Sequence, residues 1–103
     1  MRYPDRDTEC EQKAITICDN CISARVQGEM VLLNTETGRY FGLNEVGARI
    51  WELAKEPINI SKVIDRLLSE YRVEREALLV DVEEVTVALV NAGLVKFIDP
   101  LPA

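Results

Sequence analysis

Cys18-Asp19-Asn20-Cys21 is the segment of this sequence best equipped for covalent chemistry. Two thiols in that spacing can form a disulfide, pass it on, or hold a soft metal ion. A third thiol, Cys10, lies upstream of the pair. The surroundings argue against each use. A thioredoxin-like redox motif sits where a strand turns into a helix of a βαβ unit, and a closed zinc site takes four ligands. Neither context surrounds these residues. Free cysteines are therefore expected, with a metal site shared with another chain, or a thiol role, as the alternatives. The chain contains no histidine, so the usual neutral-pH general base and the commonest zinc ligand are both missing. No catalytic residue, no metal and no cofactor is expected.

Charge narrows the partners further. Eighteen acidic against twelve basic side chains give a formal charge of -6, which repels phosphate backbones and anionic lipid. No nucleic acid and no membrane partner is expected. The polar start of the chain lacks the apolar centre of a signal peptide, and no run approaches the roughly 20 apolar residues of a membrane span. A cytoplasmic protein is expected. Hydrophobic residues make up 48% of the 103 residues and charged residues 29%, a mixture that builds one folded core.

The elements that would position a site follow from periodicity. Residues 1–13 are rich in charge and read as a flexible polar arm, residues 14–98 as the folded domain, and residues 99–103 as a C-terminal tail. Ile22 to Val26, Met30 to Asn34 and Arg39 to Leu43 are short, rich in strand-forming residues, and separated by turns containing Gly28 and Gly38. This pattern predicts a three-stranded antiparallel meander. Met30 and Leu32 point opposite to Val31 and Leu33, and Tyr40 opposite to Phe41, so both faces of the sheet carry apolar side chains. One face can take helices; the other needs the N-terminal segment, another subunit or a partner.

From Asn44 the period becomes helical. Asn44 is a candidate N-cap, Val46, Ile50, Leu53 and Ala54 form a stripe, and Pro57 ends it. Ile60, Val63, Ile64, Leu67, Leu68 and Tyr71 predict a second amphipathic helix. A third runs from about Glu74 to Ala92 with Leu78, Val82, Val85 and Leu89 on one stripe, closed by Gly93 and Leu94. Leu79, Val80, Val87 and Val90 lie off that stripe, so this helix is either buried on two sides or lines a groove. Val95 to Ile98 could form a last short strand.

The expected fold is α+β and winged helix-turn-helix-like: an N-terminal three-stranded antiparallel β-meander followed by three α-helices. Such a shape suggests DNA, but the helix that would enter the groove carries Glu74, Glu76, Asp81, Glu83 and Glu84 against Arg75 in its first half. A DNA-binding regulator and a thiol or metal accessory protein using Cys18 and Cys21 remain the alternatives. The open edge of the meander offers another use, because unpaired backbone groups on a last strand are a template for an incoming extended chain.

The run Val31-Leu32-Leu33-Asn34, Thr37-Gly38-Arg39-Tyr40-Phe41-Gly42-Leu43-Asn44, Gly47-Ala48 and Ile50-Trp51 resembles the signature of the family named for coenzyme PQQ synthesis protein D. Asp81-Val82, Leu89 and Gly93-Leu94 resemble its third-helix pattern, and the likeness covers roughly residues 22–95. The resemblance implies a peptide-recognition element that binds the leader of a ribosomally made precursor and presents it to a maturation enzyme, either a radical-SAM maturase or the protease and cyclase of a lasso-peptide pathway. It implies that the leader adds as a strand beside Arg39, Tyr40, Phe41, Gly42 and Leu43 and lies in a cleft against Asp81, Val82, Val85 and Thr86. On that reading proline at Phe41 removes an edge N–H. The cysteines fall outside the matched run, and Val85 stands where the family pattern is often aromatic, which would widen the cleft.

Overall fold

A computed structural model describes residues 12–102. Among these residues six strands and three helices follow in the order β1 (Ala14–Ile17), β2 (Cys21–Val26), β3 (Glu29–Asn34), β4 (Tyr40–Leu43), α1 (Glu45–Leu53), β5 (Ile58–Asn59), α2 (Ile60–Glu70), α3 (Arg75–Asn91) and β6 (Val95–Ile98). The strands form two sheets, β2-β3-β4 and β5-β1-β6.

The meander β2-β3-β4 is the one the turns predict. Val26 pairs with Glu29, leaving Gln27-Gly28 as a two-residue loop, and both residues have positive φ, 52° and 87°. That is the backbone of a type I′ hairpin, whose twist matches that of the strands it joins. Glutamine is a poor occupant of the left-handed region, where asparagine is enriched. Gln27→Asn is therefore expected to raise stability by about 0.5 kcal/mol, read from the urea midpoint.

Alternation sorts the sheet into two faces. Met30, Leu32, Asn34 and Leu43 point inward and are buried, with Phe41 half-buried beside them. α1 lies against β3 and β4. It is started by Asn44, whose Oδ1 accepts a bond from Gly47 N–H at 2.8 Å. That cap satisfies a donor that the first helical turn leaves unpaired. Trp51, Ile50, Ile64, Leu67, Val82 and Leu89 from the three helices meet Leu32 and Ile15 in one core. α3 ends in a Schellman motif: Gly93 has φ 74°, its N–H donates to Val90 O, and Leu94 N–H donates to Leu89 O.

In the second sheet β1 and β5 are additions to the predicted elements, and they join the expected last strand, β6. β1 is its middle strand, pairing Ala14 with Ile98 and Ile17 with Val95 on one side, and Ala14 with Asn59 on the other. Lys13 belongs to this layer: its carbonyl accepts from Ile60 N–H, and its ammonium lies 5.0 Å from the centre of the Phe97 ring. The rest of the expected arm, residues 1–11, lies outside the described residues. In the C-terminal segment Leu101 is fastened by two bonds with the Asn59 side chain, at 2.8 and 3.1 Å. Across the helices, Arg49 on α1 grips Glu70 at the end of α2 through Nε and Nη2, the shortest contact being 2.7 Å. The guanidinium holds the Glu70 carboxyl below its usual range.

Candidate functional site

Among the described residues β4 is an edge strand, with β3 on one side and no strand on the other. Which of its backbone groups are free follows from the phase of the ladder. Asn34 N–H donates to Arg39 O at 3.0 Å, one step beyond the Leu33–Tyr40 pair. Hydrogen-bonded pairs alternate with non-bonded ones in an antiparallel ladder. Phe41 and Leu43 therefore turn their N–H and C=O groups toward Leu32 and Met30, while Tyr40 and Gly42 turn theirs away from the sheet. The other side of β3 gives the same phase, since Thr35 N–H donates to Asn20 O at 2.8 Å and places residues 31 and 33 toward β2. The proline argument at Phe41 is thereby corrected: its N–H faces the sheet interior. The edge donors belong to Tyr40 and Gly42.

Beside this edge lies a cleft of about 220 Å³ lined by Phe41, Gly42, Leu43, Asn44, Gly47, Glu84, Val85 and Ala88. Side chains of a strand added to β4 would enter it at every second residue. Its size is below the roughly 300–1,000 Å³ of small-molecule pockets, so it suits side chains better than a cofactor. Val85, half-buried, forms part of the wall, and Asp81 lies exposed one turn earlier on the same helix stripe.

The remaining predicted positions have different places. Val82 and Thr86 are both 0% exposed, so they sit in the core behind the cleft. Arg39 is exposed and precedes β4, contributing its carbonyl to Asn34 N–H. The sequence reading passed over Glu84 and Ala88, which share a stripe with Asp81 and Val85 at three- and four-residue spacing; Val82 and Thr86 lie about 100° further round the helix. The hydroxyl of Thr86 is buried without a hydrogen-bond partner among the described residues. Thr86→Val keeps the shape and removes that polar group, so it is expected to leave peptide affinity unchanged and to raise stability by about 1 kcal/mol, measured by chemical denaturation.

Asn34 sets how β4 meets α3. It is 3% exposed. Its Oδ1 accepts from Glu36 N–H at 2.9 Å, Thr37 N–H at 3.2 Å and Asn20 Nδ2 at 3.1 Å, and its Nδ2 donates to Ala92 O at 2.9 Å. One side chain thus shapes the β3–β4 turn and straps it to the last carbonyls of α3. A Cβ on Gly93 would lie 3.0 Å from Asn34 Nδ2, so the strap also favours glycine at that position.

Cys18 and Cys21 take no part in the cleft. Cys18 and Cys21 are free and half-buried, and Cys21 donates its S–H to Cys18 O at 3.0 Å. Burial pushes the Cys21 thiol up, with Cys18 and Asp19 adding to the effect, which keeps it protonated and poorly nucleophilic at neutral pH. No group of three metal-ligating side chains occurs among the described residues. Cys10 lies outside them.

The described residues thus combine a winged-helix-like arrangement, an acidic third helix, an open strand edge and a cleft beside it. The chain belongs to the family of coenzyme PQQ synthesis protein D (PqqD), whose pattern matches residues 29–95. Two solved structures are similar to it. TbiB1 in complex with the TbiA(beta) leader peptide is 38% identical, with a TM-score of 0.72 over 79% of this chain and 94% of that one. A lasso peptide synthetase B1 complexed with the leader peptide is 25% identical, with a TM-score of 0.65 over 80% of this chain and 96% of that one. No curated protein sequence matches the chain.

Proposed function

We propose that this protein binds the leader segment of a ribosomally synthesised precursor peptide by strand addition to β4 and presents it to a maturation enzyme, without itself making or breaking a bond. The observation that carries the reading is the outward row of backbone groups on Tyr40 and Gly42 beside the Phe41–Val85–Ala88 cleft. Main-chain pairing there supplies affinity with little demand on sequence, and the cleft selects alternate side chains. The two similar structures hold leader peptides, and the family model covers β3, β4 and all three helices. Presentation acts through effective concentration: a held leader keeps the rest of the precursor near the enzyme. Radical-SAM maturases and lasso-peptide proteases or cyclases are the enzyme classes this fits, and the lasso assignment has the support of the second neighbour. No helix among the described residues is long and apolar enough to cross a membrane, and we place the work in the cytoplasm, where precursors are made.

Amide exchange tests the geometry directly. Adding a synthetic leader peptide should slow exchange at Tyr40 and Gly42, whose N–H groups face away from the sheet, and change Phe41 and Leu43 much less, because they are already paired. Protection that appears on β2 and spares β4 would place the peptide elsewhere.

A further inference from the structure

Cys18 and Cys21 flank the Asp19-Asn20 turn that carries the chain from β1 in one sheet to β2 in the other. Both are free and half-buried. A four-residue turn keeps its first and last Cα atoms within about 7 Å, and a disulfide spans about 4.4–6.8 Å between Cα atoms. The spacing therefore admits a bond between the two sulfurs. In the reduced protein the Cys21 thiol is engaged elsewhere, donating to Cys18 O at 3.0 Å, so that bond requires the thiol to leave the carbonyl and the turn to tighten around it.

This turn is tied to the strap that seats β4 against α3. Cys18 N–H donates to Leu94 O at 2.9 Å, and Asn20 Nδ2 donates to Asn34 Oδ1 at 3.1 Å and to Gly93 O at 3.4 Å. Asn20 O accepts from the N–H of Thr35 at 2.8 Å and from its hydroxyl at 3.1 Å. Cys21 stands directly across the ladder from Asn34. Because Asn20 and Thr35 are a bonded pair, Cys21 and Asn34 are a non-bonded one, with Cα atoms about 4.5 Å apart and side chains at their closest. A change in the turn thus reaches the β3–β4 turn and the end of α3 together. The junction has little slack, since a Cβ on Gly93 would already lie 3.0 Å from Asn34 Nδ2.

We propose that Cys18 and Cys21 are a reversible disulfide site whose oxidation loosens the Asn34 strap and weakens leader binding, so that the dithiol protein is the form that holds the peptide. The coupling rests on leader binding at β4. The oxidant is a small disulfide of the glutathione type. Cys18, as its thiolate, attacks one sulfur of that disulfide and releases a thiolate; Cys21 then gives up its proton, attacks the Cys18 sulfur and releases the second. Two electrons pass to the oxidant, and the two cysteine protons end on two small thiols. Cys21 acts second because its S–H is held by Cys18 O and burial keeps it protonated. Disulfides of the cytosol are usually transient, serving catalysis or redox sensing. Linkage makes the effect reciprocal: whatever factor oxidation removes from leader affinity, bound leader adds to the preference for the dithiol.

The test equilibrates the full chain in redox buffers spanning dithiothreitol to glutathione disulfide, with and without a synthetic leader peptide, and locates the bond by peptide mapping. A Cys18–Cys21 disulfide is expected, with leader affinity about tenfold lower in the oxidised protein. Saturating leader is expected to raise the midpoint potential by about 30 mV, the same tenfold converted for a two-electron couple. In amide NMR spectra the side chains of Asn20 and Asn34 are expected to shift on oxidation without any peptide present. Cys21→Ser keeps a hydroxyl that can donate to Cys18 O and cannot oxidise, so its leader affinity is expected to stay within about twofold of the reduced parent in every buffer. If that variant melts below the assay temperature, Cys18→Ser makes the same test. A bond that never forms, a bond that recruits Cys10 instead, or an oxidised protein with unchanged affinity and an unmoved potential overturns the switch and leaves strand addition standing. A reduced parent that binds no leader overturns strand addition, and the coupling with it.

Discussion

Gly42→Pro is expected to lower leader affinity by about 10- to 100-fold while the domain stays folded. Position 42 combines two properties. Its N–H turns outward, so proline removes no bond within the sheet, and the residue before it, Phe41, is already extended, as a residue preceding proline must be. What is lost is a donor to the incoming strand, and the ring then occupies the space where that strand's carbonyl would sit. Phe41→Pro is the matched control with the opposite profile. Its N–H is bonded across the ladder to Leu32, so proline there should lower the melting temperature by several degrees and disrupt the edge as a consequence. Titration of a fluorescent leader, with a thermal melt of each variant, separates the two. A Gly42→Pro protein that binds normally would show that the peptide does not pair with β4.

Asn34→Ala should have the largest effect on stability, about 2 to 4 kcal/mol. Alanine leaves Ala92 O, Glu36 N–H and Thr37 N–H without the partner that now serves all three, and each such bond is worth about 0.5–1.5 kcal/mol. Asn34→Asp dissects the role. The carboxylate can still accept from the turn amides, so the β3–β4 hairpin survives. It cannot donate to Ala92 O, and it brings negative charge to the C-terminal end of α3, where the helix dipole is also negative. The expected outcome is a folded domain with β4 poorly seated against α3 and a leader affinity reduced by more than the loss of stability explains. Urea denaturation and leader titration of both variants provide the measurement. Unchanged affinity in Asn34→Asp would mean that the strap does not set the cleft.

Local patterns made the meander and the helices legible. The Gly28 and Gly38 turns, the Asn44 cap and the Gly93 stop each require a particular residue type, and each of them has the geometry that its type implies. β1 and β5 were not legible for a complementary reason. Ala14–Ile17 follows a charged stretch, Ile58–Asn59 is too short to show a period, and their partners lie far along the chain. The cleft was half legible. The edge residues stand in the signature run, but the phase of their hydrogen bonds depends on the single bond between Asn34 and Arg39, which no periodicity encodes. On α3 the core stripe and the cleft stripe are neighbours, and Val85 lies between them. The resemblance named Val82 and Thr86 beside the leader, but both are buried behind the cleft, whereas Glu84 and Ala88 line it.

Pairing of Ala14 with Ile98 brings the first and last strands of the domain side by side, with Cα atoms about 5 Å apart as in any antiparallel pair. A fold whose ends meet in this way can be treated as a cassette. Spliced into an exposed loop of a host protein, it would hardly stretch the junction, and cutting the ring elsewhere, as at the exposed Arg72–Val73 link between α2 and α3, would yield a permuted chain with both ends relocated.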